Sequence, residues 1–309
     1  MIKVTDVAYV RFQAPDLDRM RHFLADFGMR PAEDLSDGIL RMRGLGPAPF
    51  IHQTVAGEPA FLGFGLYARS LEDLDELAGS EGCAVQDLKA PGGGKFIRLQ
   101  APDGFEVDII AGQTPAAAID SKPEEMEWNV AGRPRRLRSA KRVPSGPAHV
   151  VRLGHVVFLV SDFARMEDWL KGRLGFLTSD TIIDPEGKPV ASFIRCDRGD
   201  QETDHHTLNF AVAASGPPRF HHAAFEVKNF DDLMAGNQFM HARGHRQKWG
   251  IGRHVLGSQV FNYWEDPWGQ IVEHWTDGDL FTASDGAQTC DLGVMTGVQW
   301  GPEMVPGFV

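Results

Sequence analysis

The segments AYVRFQAPDLDRMRHFLADFGMRP (residues 8–31) and GHVVFLVSDFARMEDWLKGRLGFLT (residues 154–178) share one pattern. Each begins with a short run rich in β-branched and aromatic residues, passes through an Asp into an amphipathic stretch, and reaches a Gly where that stretch ends. Apolar residues at helical spacing predict a helix that packs on a sheet, and a Gly at its end is typical of the left-handed cap position. Each segment is therefore predicted to form a strand followed by a helix.

The chain repeats the rest of this unit as well. LYARSLEDLDELAGSEG (66–82) parallels EVKNFDDLMAGNQFMHARG (226–244), and LQAPDGFEVDIIAG (99–112) parallels YWEDPWGQIVEHWTDG (263–278). In the last two segments a turn with Pro and Gly separates two strand-like runs. This duplication predicts an α+β fold of four βαβββ modules, in which each pair of modules curls its sheet around a central cavity.

The modules are predicted to form two domains. The first spans residues 1–113, and the second spans residues 149–309 with a Gly-rich tail after residue 280. A polar connector that contains Pro and Ala, residues 114–148, joins them. We expect the tail to wrap around the second domain.

The composition is that of an ordinary globular protein. Of 309 residues, 42% are hydrophobic and 24% are charged, and the formal net charge is -11. The one basic cluster, residues 133–142, lies in the polar connector, so the sequence does not favour nucleic-acid binding. No apolar run approaches the length of a membrane span, so no membrane association is expected.

The cysteines and the N-terminus favour a reducing cytoplasm. Cys83, Cys196 and Cys290 are far apart and form no CxxC pair, so neither a disulfide framework nor a zinc ribbon is expected. The first residues, MIKVTDVAYVRF, lack the apolar segment of a signal peptide. A closed homo-oligomer is the general expectation.

Histidines are concentrated in the second half, where they open the segments GHVVFLVS, HHTLNFAV and FHHAAFEV. A lone histidine at the start of a strand is usually structural, but several on one curled sheet can meet in its cavity. Because side chains alternate along a strand, each histidine should share a face with the residues two and four positions later. The three predicted faces are His155 with Val157 and Leu159, His206 with Leu208 and Phe210, and His222 with Ala224 and Glu226. His221 is expected on the face opposite His222.

Two histidines and one carboxylate on one face of a metal form the facial triad of non-haem Fe(II) oxygenases. His155, His222 and Glu273 could supply these donors from three separate strands. Neutral imidazoles and a carboxylate suit Fe(II) or Mn(II), and the lack of a cysteine donor argues against a soft-metal site.

The first half of the duplication serves as an internal comparison. Tyr9 occupies the position that matches His155, the position that matches His222 falls near Gly63, and Asp108 matches Glu273. Only the carboxylate is kept. We therefore expect one metal site per chain, in the second half, and a structural role for the first.

At these residues the chain resembles the type I extradiol ring-cleaving dioxygenases of the vicinal oxygen chelate (glyoxalase/bleomycin resistance/dioxygenase) superfamily, such as catechol 2,3-dioxygenase and 2,3-dihydroxybiphenyl 1,2-dioxygenase. The resemblance covers both predicted domains and is most specific from Leu153 to Glu273. The residues that carry the family signature are Gly252-Arg253-His254, Tyr263, Asp266-Pro267-Trp268-Gly269 and Glu273. One position departs, because Asn262 stands before the Tyr where the family usually has an apolar residue.

The resemblance implies the vicinal oxygen chelate fold and a metal, Fe(2+) or alternatively Mn(2+), bound by His155, His222 and Glu273. It implies a small aromatic diol and O2 as substrates. The ring bond outside the two hydroxyl groups would break, giving a yellow product of the 2-hydroxymuconic-semialdehyde type.

The resemblance also implies roles for three other side chains. His206 would be the active-site acid/base, with the adjacent His205 as the alternative assignment. His254 and Tyr263 would hydrogen-bond the substrate.

Three rival functions follow from the same pattern. One is a non-oxidative, metal-dependent relative such as a glyoxalase or an epimerase, and the second is a hydroquinone-type ring-cleaving dioxygenase. The third is a ligand-sequestering binding protein that has lost its metal donors. The combination of His206, His254 and Tyr263 favours oxygen chemistry over the first, and the complete donor set argues against the last.

Overall fold

Each half of the chain builds its own main sheet. The computed structural model describes residues 1–119 and 128–308. The eight strands of the first sheet are Val4–Ala14 (β1), Arg30–Pro31 (β2), Leu40–Arg43 (β3), His52–Ala56 (β4), Ala60–Ala68 (β5), Gln86–Asp87 (β6), Lys95–Gln100 (β7) and Glu106–Ala111 (β8). Their order across the sheet is β2-β3-β4-β1-β5-β8-β7-β6.

The second half adds twelve described strands. They are Val150–Val160 (β9), Leu177–Ile183 (β10), Pro189–Arg195 (β11), Thr203–Asp204 (β12), Leu208–Val212 (β13), Arg219–Val227 (β14), Arg246–His254 (β15), Val260–Glu265 (β16), Ile271–Thr276 (β17), Leu280–Phe281 (β18), Gln288–Asp291 (β19) and Val298–Trp300 (β20). Ten of them form one sheet in the order β19-β10-β11-β13-β9-β14-β17-β16-β15-β20, while β12 and β18 pair separately.

The helices begin at side-chain caps. The described helices are Leu17–Asp26 (α1), Leu71–Glu81 (α2), Phe163–Leu174 (α3), Phe230–Ala242 (α4) and Leu292–Thr296 (α5), with a short 3-10 turn at Pro102–Gly104. Asp16, Ser70, Asp162 and Asn229 each accept a hydrogen bond from the backbone N–H three residues later, which satisfies a free donor of the first turn. Gly175 ends α3 in the left-handed conformation, as its position predicts.

The four predicted modules are present. In each one the first and last long strands run parallel and adjacent: β1 beside β4, β5 beside β8, β9 beside β13, and β14 beside β17. The first strands of paired modules then run antiparallel, β1 with β5 and β9 with β14, so each sheet is continuous across two modules. The predicted α+β vicinal oxygen chelate fold is confirmed.

The two sheets share one hydrophobic core. Phe27 contacts Phe225 with ring centroids 5.8 Å apart, and Phe64 stacks on Phe158 at 5.9 Å. The largest buried cluster accordingly contains residues of both halves. The division into domains at residues 113 and 149 stays a prediction. Residues 120–127 of the predicted connector lie outside the described residues.

The C-terminal tail extends the second sheet at both edges. β19 pairs in parallel with β10, and β20 pairs with β15 at the far end. The tail then carries Phe308, only 7% exposed, into a cluster with Trp249, Phe261 and Tyr263. None of the helices within residues 1–119 and 128–308 has the length and apolar character needed to cross a membrane.

Candidate metal centre

Three neighbouring strands carry the candidate metal donors. In the strand register, Ala224 of β14 pairs with His155 of β9 on one side and with Glu273 of β17 on the other. His222 lies two residues before Ala224 on the same strand, so strand alternation returns its side chain to the same face. Residues far apart in sequence therefore meet on one face of the sheet.

A glycine fixes the strand that carries His155. A Cβ built on Gly154 would lie 2.5 Å from Cζ2 of Trp275, which is closer than two carbon atoms approach. The indole of Trp275 lies against the backbone at this point, and its ring centroid is 6.1 Å from that of His155. The Gly before the His thus permits the close packing of β9 on Trp275.

The donor atoms of this group lie within metal-binding distance of one another. Nε2 of His155 and Nε2 of His222 are each 3.3 Å from Oε2 of Glu273. Metal bonds of about 2.1 Å at right angles would place neighbouring donors about 3 Å apart. His155, His222 and Glu273 are the only group of at least three such donors found among the described residues, and all three are buried.

The bonding of these donors suits a divalent cation. Glu273 is fully buried, and among the described residues neither of its carboxylate oxygens has a hydrogen-bond partner. Burial opposes ionisation of this carboxyl group, yet the adjacent His155 and His222 lower its pKa below the usual range. Burial also lowers the pKa of His222, so its ring is held neutral. A buried carboxylate beside imidazole nitrogen atoms is stabilised by a bound divalent metal.

The first half contains ion pairs at the equivalent place. The register there pairs Gly65 with Tyr9 and with Asp108, just as Ala224 pairs with its two neighbours. Asp108 accepts from Nε of Arg98 at 2.7 Å and from the Tyr9 hydroxyl at 3.0 Å, and its Oδ2 lies 3.2 Å from Nε of Arg11. Two guanidinium groups thus neutralise the carboxylate.

The predicted orientation of His221 is wrong. His221 lines the same cavity as His222, and their Nδ1 atoms are 2.6 Å apart. The pairing of β14 with β9 skips His221, because Phe220 pairs with Phe158 and His222 with the next residue, Val157. His221 is the extra residue of a β-bulge, where side-chain alternation fails.

The predicted face of His206 is also wrong. His206 lines the cavity, whereas Leu208 and Phe210 are buried in the main core and it is Asn209 and Ala211 that reach the cavity. β13 begins only at Leu208, so the alternation rule does not extend back to His206. The expected face of His155, Val157 and Leu159 does line the cavity.

His206 lies beside the donor group, and a carboxylate stands behind it. Its ring centroid is 4.2 Å from that of His155. Its Nδ1 is 3.1 Å from Nδ1 of His205, whose Nε2 is 2.6 Å from Oδ2 of the buried Asp180. Burial, followed by the neighbouring imidazoles, holds the pKa of His206 well below its usual range.

His254 and Tyr263 meet as a hydrogen-bonded pair on the other side of the cavity. Nε2 of His254 is 2.9 Å from the Tyr263 hydroxyl, and the ring of Tyr263 is 5.2 Å from that of His222. Burial lowers the pKa of His254 to about 4 and raises that of Tyr263 well above its usual value. Both groups are therefore neutral at physiological pH.

The comparisons with known proteins place the chain in a family. The model of the Glyoxalase/Bleomycin resistance protein/Dioxygenase superfamily matches residues 152–274, the segment that carries all three candidate metal donors. Metapyrocatechase 2 of Cupriavidus necator is 30% identical over 254 residues, which cover 81% of this chain and 74% of that protein. This chain belongs to the extradiol ring-cleaving dioxygenases. Over 250 residues it is also 26% identical to the manganese-dependent 2,3-dihydroxybiphenyl 1,2-dioxygenase of Geobacillus genomosp. 3, covering 76% of the chain and 74% of that enzyme.

Solved structures share the fold of this dioxygenase along nearly its whole length. A substrate complex of homoprotocatechuate 2,3-dioxygenase from Brevibacterium fuscum superposes with a TM-score of 0.79 at 21% identity, covering 99% of this chain and 92% of that one. The Mn(II)-bound glyoxalase of Novosphingobium aromaticivorans superposes with a TM-score of 0.76 at 24% identity, covering 99% and 97%. Because a glyoxalase and a dioxygenase fit comparably well, the superposition shows the fold alone.

The dioxygenase has two cavity walls that sequence reasoning missed. Trp249 of β15 stacks on Tyr263 at 5.6 Å, and Phe308 of the tail packs edge-on against the same ring at 4.9 Å. The cavity has an empty volume of about 710 Å³ including its open mouth. Neither residue lies in the motif, and only the expectation that the tail wraps around the second domain pointed to Phe308.

Asn262, which departs from the family signature, is accommodated away from the cavity. It is fully buried, and its Oδ1 accepts from Nε2 of Gln247 at 2.8 Å. Its Nδ2 lies 3.3 Å from Oδ1 of Asn237 on α4. The polar side chain is therefore satisfied behind the sheet, while Tyr263 points to the opposite face.

Proposed function

We propose that this dioxygenase uses Fe(II) and O2 to cleave a catechol-type ring next to its two hydroxyl groups, giving a product of the 2-hydroxymuconic-semialdehyde type. The observation that carries the proposal is the group of His155, His222 and Glu273. Its donor atoms are buried, converge on one point beside a cavity, and include carboxylate oxygens without a partner among the described residues.

His155, His222 and Glu273 would hold the metal on one face and leave the other face to the cavity. When bound, the metal lowers the pKa of a coordinated hydroxyl group, so that a catechol can ionise near neutral pH. The sum of two neutral imidazoles and one carboxylate is a single negative charge, which suits a divalent cation that must also accept an anionic substrate.

His206 is proposed to move the proton. The Asp180 carboxylate accepts, so His205 carries a proton on Nε2, and in the proposed arrangement its Nδ1 accepts. His206 then donates from its own Nδ1, 3.1 Å away, and its Nε2 is left without a proton. A neutral ring with a free Nε2 beside His155 can accept a substrate proton and return it later in the reaction.

His254 and Tyr263 are proposed to hold the substrate. The hydroxyl of Tyr263 and Nε2 of His254 are joined at 2.9 Å, so the pair presents one further donor to an oxygen in the cavity. The planes of Trp249 and Tyr263 differ by only 14°. This stacking holds the phenol ring in place, so that its hydroxyl group is positioned before the substrate enters.

The cavity walls suit an aromatic ring. The apolar lining of the cavity includes Val157, Leu159, Phe193, Trp249 and Phe308. Pockets of several hundred Å³ with apolar walls and a few convergent polar groups are typical of small-molecule sites. The apolar walls would also keep bulk water away from the reacting oxygen.

The choice of Fe(II) over Mn(II) rests on the facial donor set, which is typical of non-haem iron oxygenases. Mn(II) is the alternative, because the same ligands accept it and the Geobacillus relative is named as manganese-dependent. Metal analysis of protein purified without oxygen would separate the two.

The test is oxygen uptake with a panel of catechols. We expect consumption of O2 that depends on both catechol and metal, a yellow product, and incorporation of both atoms of ¹⁸O2. The variant His222→Ala should lose this activity. The matched control is His22→Ala, because His22 lies exposed on α1 and its Nδ1 hydrogen-bonds to the Asp18 carbonyl of the same helix. Metal-loaded protein that consumes no O2 with any catechol would contradict the proposal, and activity with hydroquinones alone would favour the hydroquinone-type rival.

The domain division, the cytoplasmic location and the closed homo-oligomer stay predictions. The location is supported by the three cysteines, which are all free thiols.

A further inference from the structure

His221 and the tail carbonyl of Phe308 form a chain of contacts that ends at the candidate metal donor His222. Nε2 of His221 is 2.5 Å from the carbonyl oxygen of Phe308, and Nδ1 of His221 is 2.6 Å from Nδ1 of His222. All three groups are buried. These two hydrogen bonds therefore connect the C-terminal tail to the candidate metal centre.

The direction of these hydrogen bonds follows from the chemistry of the acceptor. A carbonyl oxygen can only accept, so Nε2 of His221 must carry the proton. A neutral imidazole has one N–H, so Nδ1 of His221 is left with a lone pair. Two lone pairs cannot face each other at 2.6 Å, so Nδ1 of His222 must donate. That leaves Nε2 of His222, 3.3 Å from Oε2 of Glu273, free to bind a metal.

We propose that His221 is a positioning residue. It donates a hydrogen bond to the Phe308 carbonyl and accepts one from His222, which holds His222 in the one tautomer that can bind the metal through Nε2. This inference rests on the metal site proposed above and deepens it. A ligand histidine commonly donates its second N–H to a carboxylate, a carbonyl or water, and here a second histidine takes that place. The bulge at His221 is what brings both rings to one side of the strand.

The proposal gives the tail a second role. Phe308 contributes a wall of the cavity through its ring and an acceptor through its backbone, and the two contacts depend on the same position of the tail. The proposal therefore predicts that displacement of the tail weakens the binding of metal. His205 and His206 repeat the contact between Nδ1 atoms, but there the final acceptor is the Asp180 carboxylate, and neither histidine belongs to the donor group.

The first experiment measures Mn(II) binding to metal-free protein, with free Mn(II) followed by electron paramagnetic resonance. His221→Phe keeps the ring and removes both nitrogen atoms, and we expect it to weaken binding about 10- to 100-fold. His221→Asn keeps an acceptor near the Nδ1 position and should recover part of the loss. His52→Phe is the matched control, because His52 is buried in the first half and lies outside the donor group, and its affinity for Mn(II) should stay within about twofold of wild type. Thermal melting confirms that each variant is folded.

A chain that ends at Gly307 lacks the Phe308 carbonyl and should also bind Mn(II) more weakly. Combined with His221→Phe, it should add little further loss, because both changes break one chain of contacts. If the losses of Mn(II) affinity from the truncation and from His221→Phe add in full, the proposed link between the tail and His222 is wrong.

Nitrogen-15 NMR of the histidine rings in the metal-free protein determines the tautomers of His221 and His222 directly. The proposal requires the proton on Nε2 of His221 and on Nδ1 of His222. A proton on Nε2 of His222, or His221→Phe protein that binds Mn(II) as wild type does, would overturn it. Wild-type protein that binds no Mn(II) would instead overturn the metal site and the inference together, so the two failures are distinguishable.

Discussion

Removal of one oxygen atom from Tyr263 tests the proposed role of the cavity pair. In Tyr263→Phe the ring stays between Trp249 and Phe308, but Nε2 of His254 loses its partner at 2.9 Å. A buried polar group left without a hydrogen bond costs about 1–3 kcal/mol. If this interaction is made in the transition state, kcat/KM should fall by about 5- to 150-fold.

The assay is the initial rate of oxygen uptake with the best catechol of the panel, at several substrate concentrations. Tyr67→Phe is the matched control, because its hydroxyl donates to Oε1 of Gln113 at 3.1 Å, outside the catalytic cavity. It removes the same atom and should leave kcat/KM within about twofold of wild type. Equal rates for Tyr263→Phe and wild type, or equal losses in the two variants, would refute the role given to Tyr263.

Two further predictions concern buried side chains elsewhere. Asp180→Leu removes the acceptor of the His205 hydrogen bond and should lower kcat more than about tenfold with little change in KM. Asp180→Asn keeps an acceptor and should recover most of the rate. Steady-state kinetics of both variants test this prediction. Burial lowers the pKa of His52 from the ordinary 6.5 to about 3, so the folded state binds fewer protons than the unfolded state. This contribution to stability is therefore lost as the pH falls below 6.5. In urea titrations, lowering the pH from 7 to 5.5 should cost His52→Phe about 1.2 kcal/mol less unfolding free energy than wild type, because the variant keeps the stack on Phe12 but cannot titrate. An unchanged pH dependence would contradict the assignment.

The internal repeat was sufficient to predict the fold, because the pattern of each module is local. The Asp caps, the helix faces and the terminal Gly of α3 all lie within a few residues of the features that they determine. Because each pattern occurs twice, alignment of the two copies also predicted which residues of the first half are equivalent to those of the second. The strand register agrees, since it places Tyr9 and Asp108 where His155 and Glu273 stand in the second half.

Alternation along strands placed side chains correctly only where the strand is regular. It held for His155, Val157 and Leu159, all of which line the cavity. It failed for His206, which precedes its strand, and for His221, which is the extra residue of a bulge. A bulge depends on the pairing with a distant strand, so the pattern of one strand does not contain it.

The residues that support the site could not be found from motifs. Asp180 reaches His205 from β10, and the tail brings Phe308 back to His221 across 87 positions of sequence. Trp249 is one of seven tryptophans, and nothing local distinguishes it from those in the core. Their positions follow from the closing of the sheet, which is a tertiary property.

The central claim is that the second half of the chain binds one divalent metal and the first half binds none. Equilibrium dialysis against Fe(II) or Mn(II) under anaerobic conditions, followed by elemental analysis, tests it with two matched variants. Glu273→Gln and Asp108→Asn make the same change at equivalent positions of the two sheets. The account predicts about one metal per chain for wild type and Asp108→Asn, and none for Glu273→Gln. Retention of metal by Glu273→Gln, or its loss from folded Asp108→Asn, would contradict it.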